Sequence, residues 1–327
     1  MLKKIAQNIQ LNKNVLEKKE INPIVQFINK NSFKSPNIFS DIGEDSATIK
    51  NDDKYILLTT DRIKTDFVEN FPFGAGFSSI LVGVDDIYCC GGRPLGASII
   101  LSYPDKTKGQ QIIEGICEGS KRFRVPIIRG HTNTKGKCYE LSSTMVGEIK
   151  KKNYISAKNA QVNDKIIFIV DEDGRIGKAN KLYWDTVTFK NSEEILNKRE
   201  AMIEVAEKQL VNCSKDISNG GIFGTLYQMI RYSNVGADVN INKIEIPKKL
   251  SEINYTLDIF INMYLTTSFI LSVPEKKCQQ VIKIYENHGL KANVIGNIIT
   301  EANLLRINNA KESIDVLNSQ NSLKNTK

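Results

Sequence analysis

Histidine is nearly absent from this chain, which has only His131 and His288. Chemistry built on histidine is correspondingly thin, and His288, just before Gly289, reads as a helix end where a cation is mildly favoured. The six cysteines, Cys89, Cys90, Cys117, Cys138, Cys213 and Cys278, form no C-x-x-C pair, which gives no support to a zinc ribbon or a thioredoxin-type motif. In an intracellular chain they read as free thiols, with the adjacent Cys89 and Cys90 as two small buried residues on a helix. No apolar run reaches the roughly 18 residues that a membrane helix needs. Residues 1–14 carry two lysines but no long apolar stretch behind them, so no secretory signal is expected and the cytoplasm is the expected location. The net charge of +8 would attract polyanions in general. Its lysines are scattered and have no aromatic residues between them, so specific nucleic-acid binding is not expected. Two glycine-bearing stretches also lack what they would need. Gly174-Arg175-Ile176-Gly177-Lys178-Ala179 misses the P-loop spacing, and Gly74-Ala75-Gly76 has neither the third glycine of a dinucleotide fingerprint nor a preceding strand.

What is present is the composition of a globular enzyme: 327 residues, 41% hydrophobic and 25% charged, enough for one or two cores. Residues 1–40 are polar and lysine-rich and form an N-terminal extension, with one helix expected around 21–28. From Asp41 the pattern tightens. Segments 47–49 and 55–60 have strand composition and are separated by the turn-forming Asn51-Asp52-Asp53. Phe77, Ile80, Leu81, Val84, Ile87 and Tyr88 recur at helical spacing, and Gly91-Gly92 and Pro94 end that helix. A strand at 95–103, a helix at 110–123 and strands at 126–128 and 140–149 follow. The polar stretch 150–163 reads as a boundary, and the apolar run 164–171 opens a second unit. That unit has helices at 193–210, 222–232 and 276–288 and strands at 238–241, 267–273 and 292–299. Alternating strands and helices in both halves predict an α/β or α+β protein of two domains, 41–150 and 160–310, with a disordered tail at 315–327.

Five short segments carry chemistry. Gly43-Glu44-Asp45-Ser46-Ala47 precedes a strand. Thr59-Thr60-Asp61 ends the next one. Asp85-Asp86-Ile87 lies late in the first long helix, before Gly91-Gly92-Arg93-Pro94. Gly130-His131-Thr132 is expected after the strand at 126–128, and Lys215-Asp216-Ile217-Ser218-Asn219-Gly220-Gly221 opens a helix. Magnesium is held by one or two carboxylates together with substrate phosphates and water, and ATP chemistry uses such ions to bridge phosphate oxygens. A glycine pair at a helix start would let backbone N–H groups approach an anion. Taken singly, each segment is equally a turn, a solvated helix face or a capping loop.

As an ordered series, these segments together with Val146-Gly147-Glu148 resemble the signature of the AIR synthase superfamily, which includes thiamine-monophosphate kinase, the hydrogenase-maturation carbamoyl dehydratase and selenophosphate synthetase. The stretch from Asp86-Ile87-Tyr88 to Gly91-Gly92-Arg93-Pro94 and the Gly130-His131-Thr132 loop are similar to the selenophosphate synthetase branch. Trp184-Asp185, Ser268-Phe269 and the segment from Lys215 to Thr225 are similar to uncharacterised AIR synthase-related proteins. The resemblance implies a two-domain fold in which N-terminal domains pair into a homodimer with a shared barrel. It also implies Mg²⁺ and ATP phosphates held by Asp45, Asp61, Asp86 and Asp216. There are departures: Glu44 replaces a usual aspartate, Arg62 a frequent glycine, Asp85 a frequent asparagine and Arg129 a glycine. No cysteine precedes Cys89, and residues 1–40 contain no glycine, whereas selenophosphate synthetases carry a reactive thiol or selenol in a glycine-rich N-terminal segment.

The resulting expectation is a Mg²⁺- and ATP-dependent enzyme that activates a small-molecule substrate by phosphoryl transfer. Asp45, Asp61, Asp86 and Asp216 are the metal ligands. Gly91, Gly92, Gly130, Gly220 and Gly221 allow backbone approach to the cofactor, and His131 and Thr132 line the catalytic side. Two alternatives remain open: a selenophosphate synthetase lacking the usual thiol, and a nucleotide-binding regulatory protein without turnover.

Overall fold

The computed structural model describes residues 2–318. Two helices lead the chain, α1 (Leu2–Gln10) and α2 (Lys13–Asn31). Leu2, Ile5, Ala6 and Ile9 lie on one face of α1 and are buried in a core shared with the second half of the chain. Spacing of i, i+3, i+4, i+7 makes such a stripe. This corrects the reading of residues 1–40 as a polar extension with a single helix: the helix expected at 21–28 lies inside the longer α2, and α1 is an integral part of a core.

The first half continues with β1 (Ile38–Ser40), β2 (Ala47–Asn51), β3 (Lys54–Arg62), α3 (Thr65–Asn70), α4 (Pro72–Cys89), β4 (Arg93–Ser102), α5 (Lys106–Phe123), β5 (Ile127–Asn133) and β6 (Glu140–Lys150). Its six strands lie in the order β1-β2-β3-β6-β4-β5. The β4–β5 pair is parallel and the others are antiparallel. Along β3, Tyr55, Leu57 and Thr59 are buried while Leu58 and Thr60 are exposed, the period-2 alternation of a sheet covered on one face. The covering layer is α4 and α5, and Phe77, Ile80, Leu81, Val84 and Ile87 of α4 fill the space beneath it. The two helices touch backbone to backbone. A Cβ at Gly76 would stand 2.1 Å from Ile112 O, and one at Gly115 would stand 2.0 Å from Phe73 O.

The second half comprises β7 (Lys165–Val170), β8 (Arg175–Ile176), β9 (Tyr183–Asp185), α6 (Ser192–Glu207), β10 (Cys213–Asp216), α7 (Gly221–Ser233), β11 (Gly236–Asn240), α8 (Lys248–Ser251), α9 (Leu257–Phe260), β12 (Tyr264–Leu265), β13 (Phe269–Val273), α10 (Cys278–Asn287), β14 (Lys291–Ile299), β15 (Leu305–Asn308) and β16 (Ser313–Leu317). Seven strands form the sheet β10-β13-β7-β14-β11-β15-β16. Residues 166–170 of β7 are all buried because helices cover both faces. Ile166, Phe168 and Val170 meet α7 and α1, and Ile167 and Ile169 meet α6 and α10. Asn191 and Glu194 close a capping box at the start of α6, which satisfies two of its orphan N–H groups. The tail expected to be disordered from 315 begins instead as strand: Ser313–Leu317 pairs with β15, and Val316 and Leu317 are buried. Residues 319–327 lie outside the described residues.

Candidate active site

Four routes bring four aspartates to the seam between the two halves. Asp45 sits in the loop joining β1 to β2, Asp61 near the end of β3, Asp86 late in α4, and Asp216 at the end of β10. The Asp45 loop is pinned from beneath by Glu44, whose carboxylate accepts from Ser40 Oγ and Ser156 Oγ, each at 2.7 Å, and from Ala157 N at 2.6 Å. Asp45, Asp86 and Asp216 each offer a carboxylate oxygen, and these atoms lie within 4.8 Å of one another. Asp61 stands close enough to Asp86 for its charge to act on that carboxyl. Thr59, two residues before Asp61 on the same side of β3, donates from its hydroxyl to Asp86 Oδ2 at 2.5 Å.

So many carboxylates in so little water disfavour their charged forms. Burial, then the charges of Asp61, Asp216 and Asp45, push the Asp86 carboxyl well above the usual range. Burial also raises Asp61, and the charge of Asp45 adds to the rise. Among the described residues, Asp45 Oδ2 and Asp61 Oδ2 are buried oxygens without a hydrogen-bond partner. A buried carboxylate oxygen left in that state is costly, and a bound cation removes the cost. Hard oxygen donors without nitrogen or sulfur suit Mg²⁺. One positive charge is supplied by the chain: Lys215 Nζ donates to Asp45 Oδ1. Burial pulls the Lys215 ammonium down, but the charges of Asp45 and Asp216 outweigh it, and the group is held above its ordinary value.

Gly130, His131 and Thr132 lie away from the four aspartates. The strand expected to stop before Gly130-His131-Thr132 runs on through Asn133, because these residues pair with Ile99, Ile100 and Leu101 of β4. They lie on the sheet's edge strand, all exposed. His131 is in register with Ile100, Ser142 and Arg62 in turn, three strands across from the residue after Asp61, or about 14 Å at ordinary strand spacing. Gly91 and Gly92 have a packing reason: a Cβ at Gly91 would meet Ala206 Cβ at 2.5 Å, and one at Gly92 would meet Leu57 Cδ1 at 2.3 Å. Gly221 has φ +63 and would place a Cβ 2.1 Å from Ile261 O. Its N–H already donates to Ser218 O, and the N–H of Ile222 donates to Ile261 O. These two amides are therefore engaged inside the fold rather than presented to an anion.

Sequence reasoning missed Lys215, Thr59 and the role of Glu44. Lys215 and Thr59 each neighbour a motif aspartate at a strand end, and same-face alternation with Asp61 would have found Thr59. Tyr183 and Tyr264 were missed as well. They stack at 5.2 Å between ring centroids, and Asp216 and Asp86 are among the charges that raise the Tyr264 hydroxyl after burial and Tyr183, so this ring pair borders the acidic cluster.

Comparison with known proteins places these observations. Residues 43–149 match the family described as AIR synthase related protein, N-terminal domain, and residues 172–305 match its C-terminal domain. An uncharacterized protein of Methanocaldococcus jannaschii is 33% identical over 305 residues, 93% of each chain. Thiamine-monophosphate kinase of Buchnera aphidicola subsp. Schizaphis graminum is 25% identical over 318 residues, 91% of this chain and 97% of that protein. In three dimensions the fold is similar to T. maritima PurL complexed with ATP, with a TM-score of 0.70 at 16% identity over 85% of this chain. The chain spans about half the length of that PurL, 47% of it.

Proposed function

The chain belongs to the AIR synthase related family, and on that premise we propose that it binds ATP with Mg²⁺ at the acidic cluster and transfers a phosphoryl group to a small-molecule acceptor. The observation that carries this reading is the convergence of Asp45, Asp86 and Asp216 within 4.8 Å beside the buried, unpartnered oxygens of Asp45 and Asp61. Asp45, Asp61, Asp86 and Asp216 would hold the metal. When bound, Mg²⁺ neutralises and orients phosphate oxygens. The chain's own residues do the rest. Thr59 fixes the Asp86 carboxylate, Glu44 fixes the loop of Asp45, and Lys215 keeps a cation beside the phosphates. Positioning and charge neutralisation carry most of phosphoryl transfer. Cys89 and Cys90 are buried, and burial and nearby carboxylates push their thiols well up, so neither replaces the reactive thiol that the selenophosphate synthetase alternative lacks.

The remote position of Gly130, His131 and Thr132 fits the same reading if a second copy supplies them. The sheet face opposite α4 and α5 exposes Leu58, Ile100 and Ile128, an apolar surface of the kind homodimers cover, and β5 lies at its edge. A cytoplasmic homodimer is accordingly part of the proposal. The test is release of ADP or AMP from ATP in the presence of Mg²⁺ and a panel of small acceptors. Turnover that requires both Mg²⁺ and one acceptor supports the proposal. Magnesium-dependent binding without turnover on any acceptor would favour a nucleotide-binding regulatory protein.

A further inference from the structure

Ser214 lies on β10 two residues before Asp216, and alternation along a strand puts both side chains on one face. It is 1% exposed. Its Oγ donates to the backbone oxygen of Cys89, the last residue of α4 and about one helical turn beyond Asp86. That oxygen is among the last four carbonyls of α4, which have no partner inside their own helix. The Ser214 hydroxyl therefore ties the strand that carries Asp216 to the helix that carries Asp86, across the seam between the halves. The Ser214 N–H makes a second tie. It donates to Ser156 O at 3.3 Å, and Ser156 bridges to Cys213 of the same strand. The Ser156 hydroxyl in turn donates to the Glu44 carboxylate at 2.7 Å, next to Asp45. Asp45, Asp86 and Asp216, whose oxygens lie within 4.8 Å of one another, are thus joined by hydrogen bonds that meet at one serine. A donor that merely capped α4 could come from any neighbouring element. This one comes from the strand of Asp216.

We propose that Ser214 is a positioning residue whose hydroxyl bond to Cys89 O and amide bond to Ser156 O set Asp216 of the second half against Asp86 and Asp45 of the first. Carboxylates held this close repel one another, so their spacing needs ties that do not depend on a cation. The cluster is then in place before any ligand arrives. This inference rests on the acidic cluster being the magnesium–nucleotide site.

Two variants that each remove one buried hydroxyl test it. Ser214→Ala leaves the Cys89 oxygen without its donor. Ser272→Ala is the matched control: Ser272 is also buried, its Oγ donates to Asp164 Oδ2 at 2.6 Å, and it pairs with the end of β10 remote from Asp216. Both should melt below the unaltered chain. The probe is a non-hydrolysable ATP analogue, titrated against folded protein with Mg²⁺ and with EDTA. In Mg²⁺, Ser214→Ala should bind about tenfold more weakly than the unaltered chain, and Ser272→Ala should stay within about threefold. In EDTA, Ser214→Ala should bind as the unaltered chain does, because only the metal needs the carboxylate spacing. Deuterium exchange at the Ile155 amide, which donates to Cys90 O at 3.1 Å beside the Ser214 tie, should quicken in Ser214→Ala only. A Ser214→Ala affinity in Mg²⁺ no weaker than that of Ser272→Ala, or an equal loss in Mg²⁺ and EDTA, would overturn the proposal. If Ser214→Ala does not fold, Ser214→Cys, whose thiol is a weak donor, takes its place under the same criteria. If the unaltered chain binds no magnesium–nucleotide, the functional reading falls instead, and the exchange contrast alone decides the positioning role: equal Ile155 exchange in both variants would then overturn it.

Discussion

Asp85 and Asp86 are neighbours on α4, yet they face different charges. Asp85 meets Arg199, whereas Asp86 meets Asp61, Asp216 and Asp45, so Asp86 is the one that calls for a cation. Asp216 lies far along the chain from the other three and is the sharpest test of the cluster. A capping role predicts that Asp216→Asn costs at most about 1 kcal/mol and leaves nucleotide binding alone. A metal role predicts that the magnesium-dependent rise in melting temperature with ATP analogue, present in the unaltered chain by mass action, is mostly lost while ligand-free melting stays similar. The cluster should also show in pH dependence. Asp61 and Asp86 are raised above 3.8 in the folded chain, so over the window above 3.8 the folded state holds more protons than the unfolded one. Metal-free stability therefore falls as pH rises through that window. Magnesium must displace those protons, so its affinity rises with pH over the same window and binding releases protons. Calorimetry in two buffers of different ionisation enthalpy measures that release. The four aspartates were legible because each adjoins a glycine, a strand end or a helix end in a recognisable order. Lys215, Thr59 and Glu44 were not picked out, because a single lysine, threonine or glutamate beside a motif has many ordinary uses.

At the scale of elements, long periodic segments such as α4, α5 and β7 were readable, since their apolar spacing is the packing. Where partner chemistry overrode local signals, the reading failed. Gly130-His131-Thr132 looks like a loop, but the hydrogen bonds of β4 extend β5 through it. The lysines of α1 disguised an amphipathic helix whose apolar stripe is only four residues wide. Because Ile5 is 1% exposed in the second core, Ile5→Asp should destabilise the chain by about 3 kcal/mol or more, while Lys3→Asp on the exposed face should stay within about 0.5 kcal/mol. Urea melts of the two variants check this. Gly221→Ala should cost about 1–3 kcal/mol through its positive φ and the clash with Ile261 O, without direct loss of a phosphate contact. Nucleotide affinity of the folded Gly221→Ala variant should therefore change less than its stability.

For the whole molecule, the two halves meet through the acidic cluster and the Asp85–Arg199 pair, while the outer face of the first sheet is left apolar and uncovered. Light scattering should give twice the chain mass of 36.8 kDa, and Ile100→Glu on that face should shift the mass toward one chain. A single chain at micromolar concentration in the unaltered protein would remove the shared-site role of His131 and Thr132. That the chain has two α/β halves was legible from alternating strands and helices; which faces remain bare was not, because exposure depends on partners that no local pattern encodes. The most direct test of the central claim is calorimetric titration of a non-hydrolysable ATP analogue with Mg²⁺ present and with EDTA. The account predicts binding in Mg²⁺, at least about tenfold weaker binding in EDTA, and loss of that difference in Asp86→Asn. Equal affinity with and without the metal, or an unchanged metal dependence in Asp86→Asn, would contradict it.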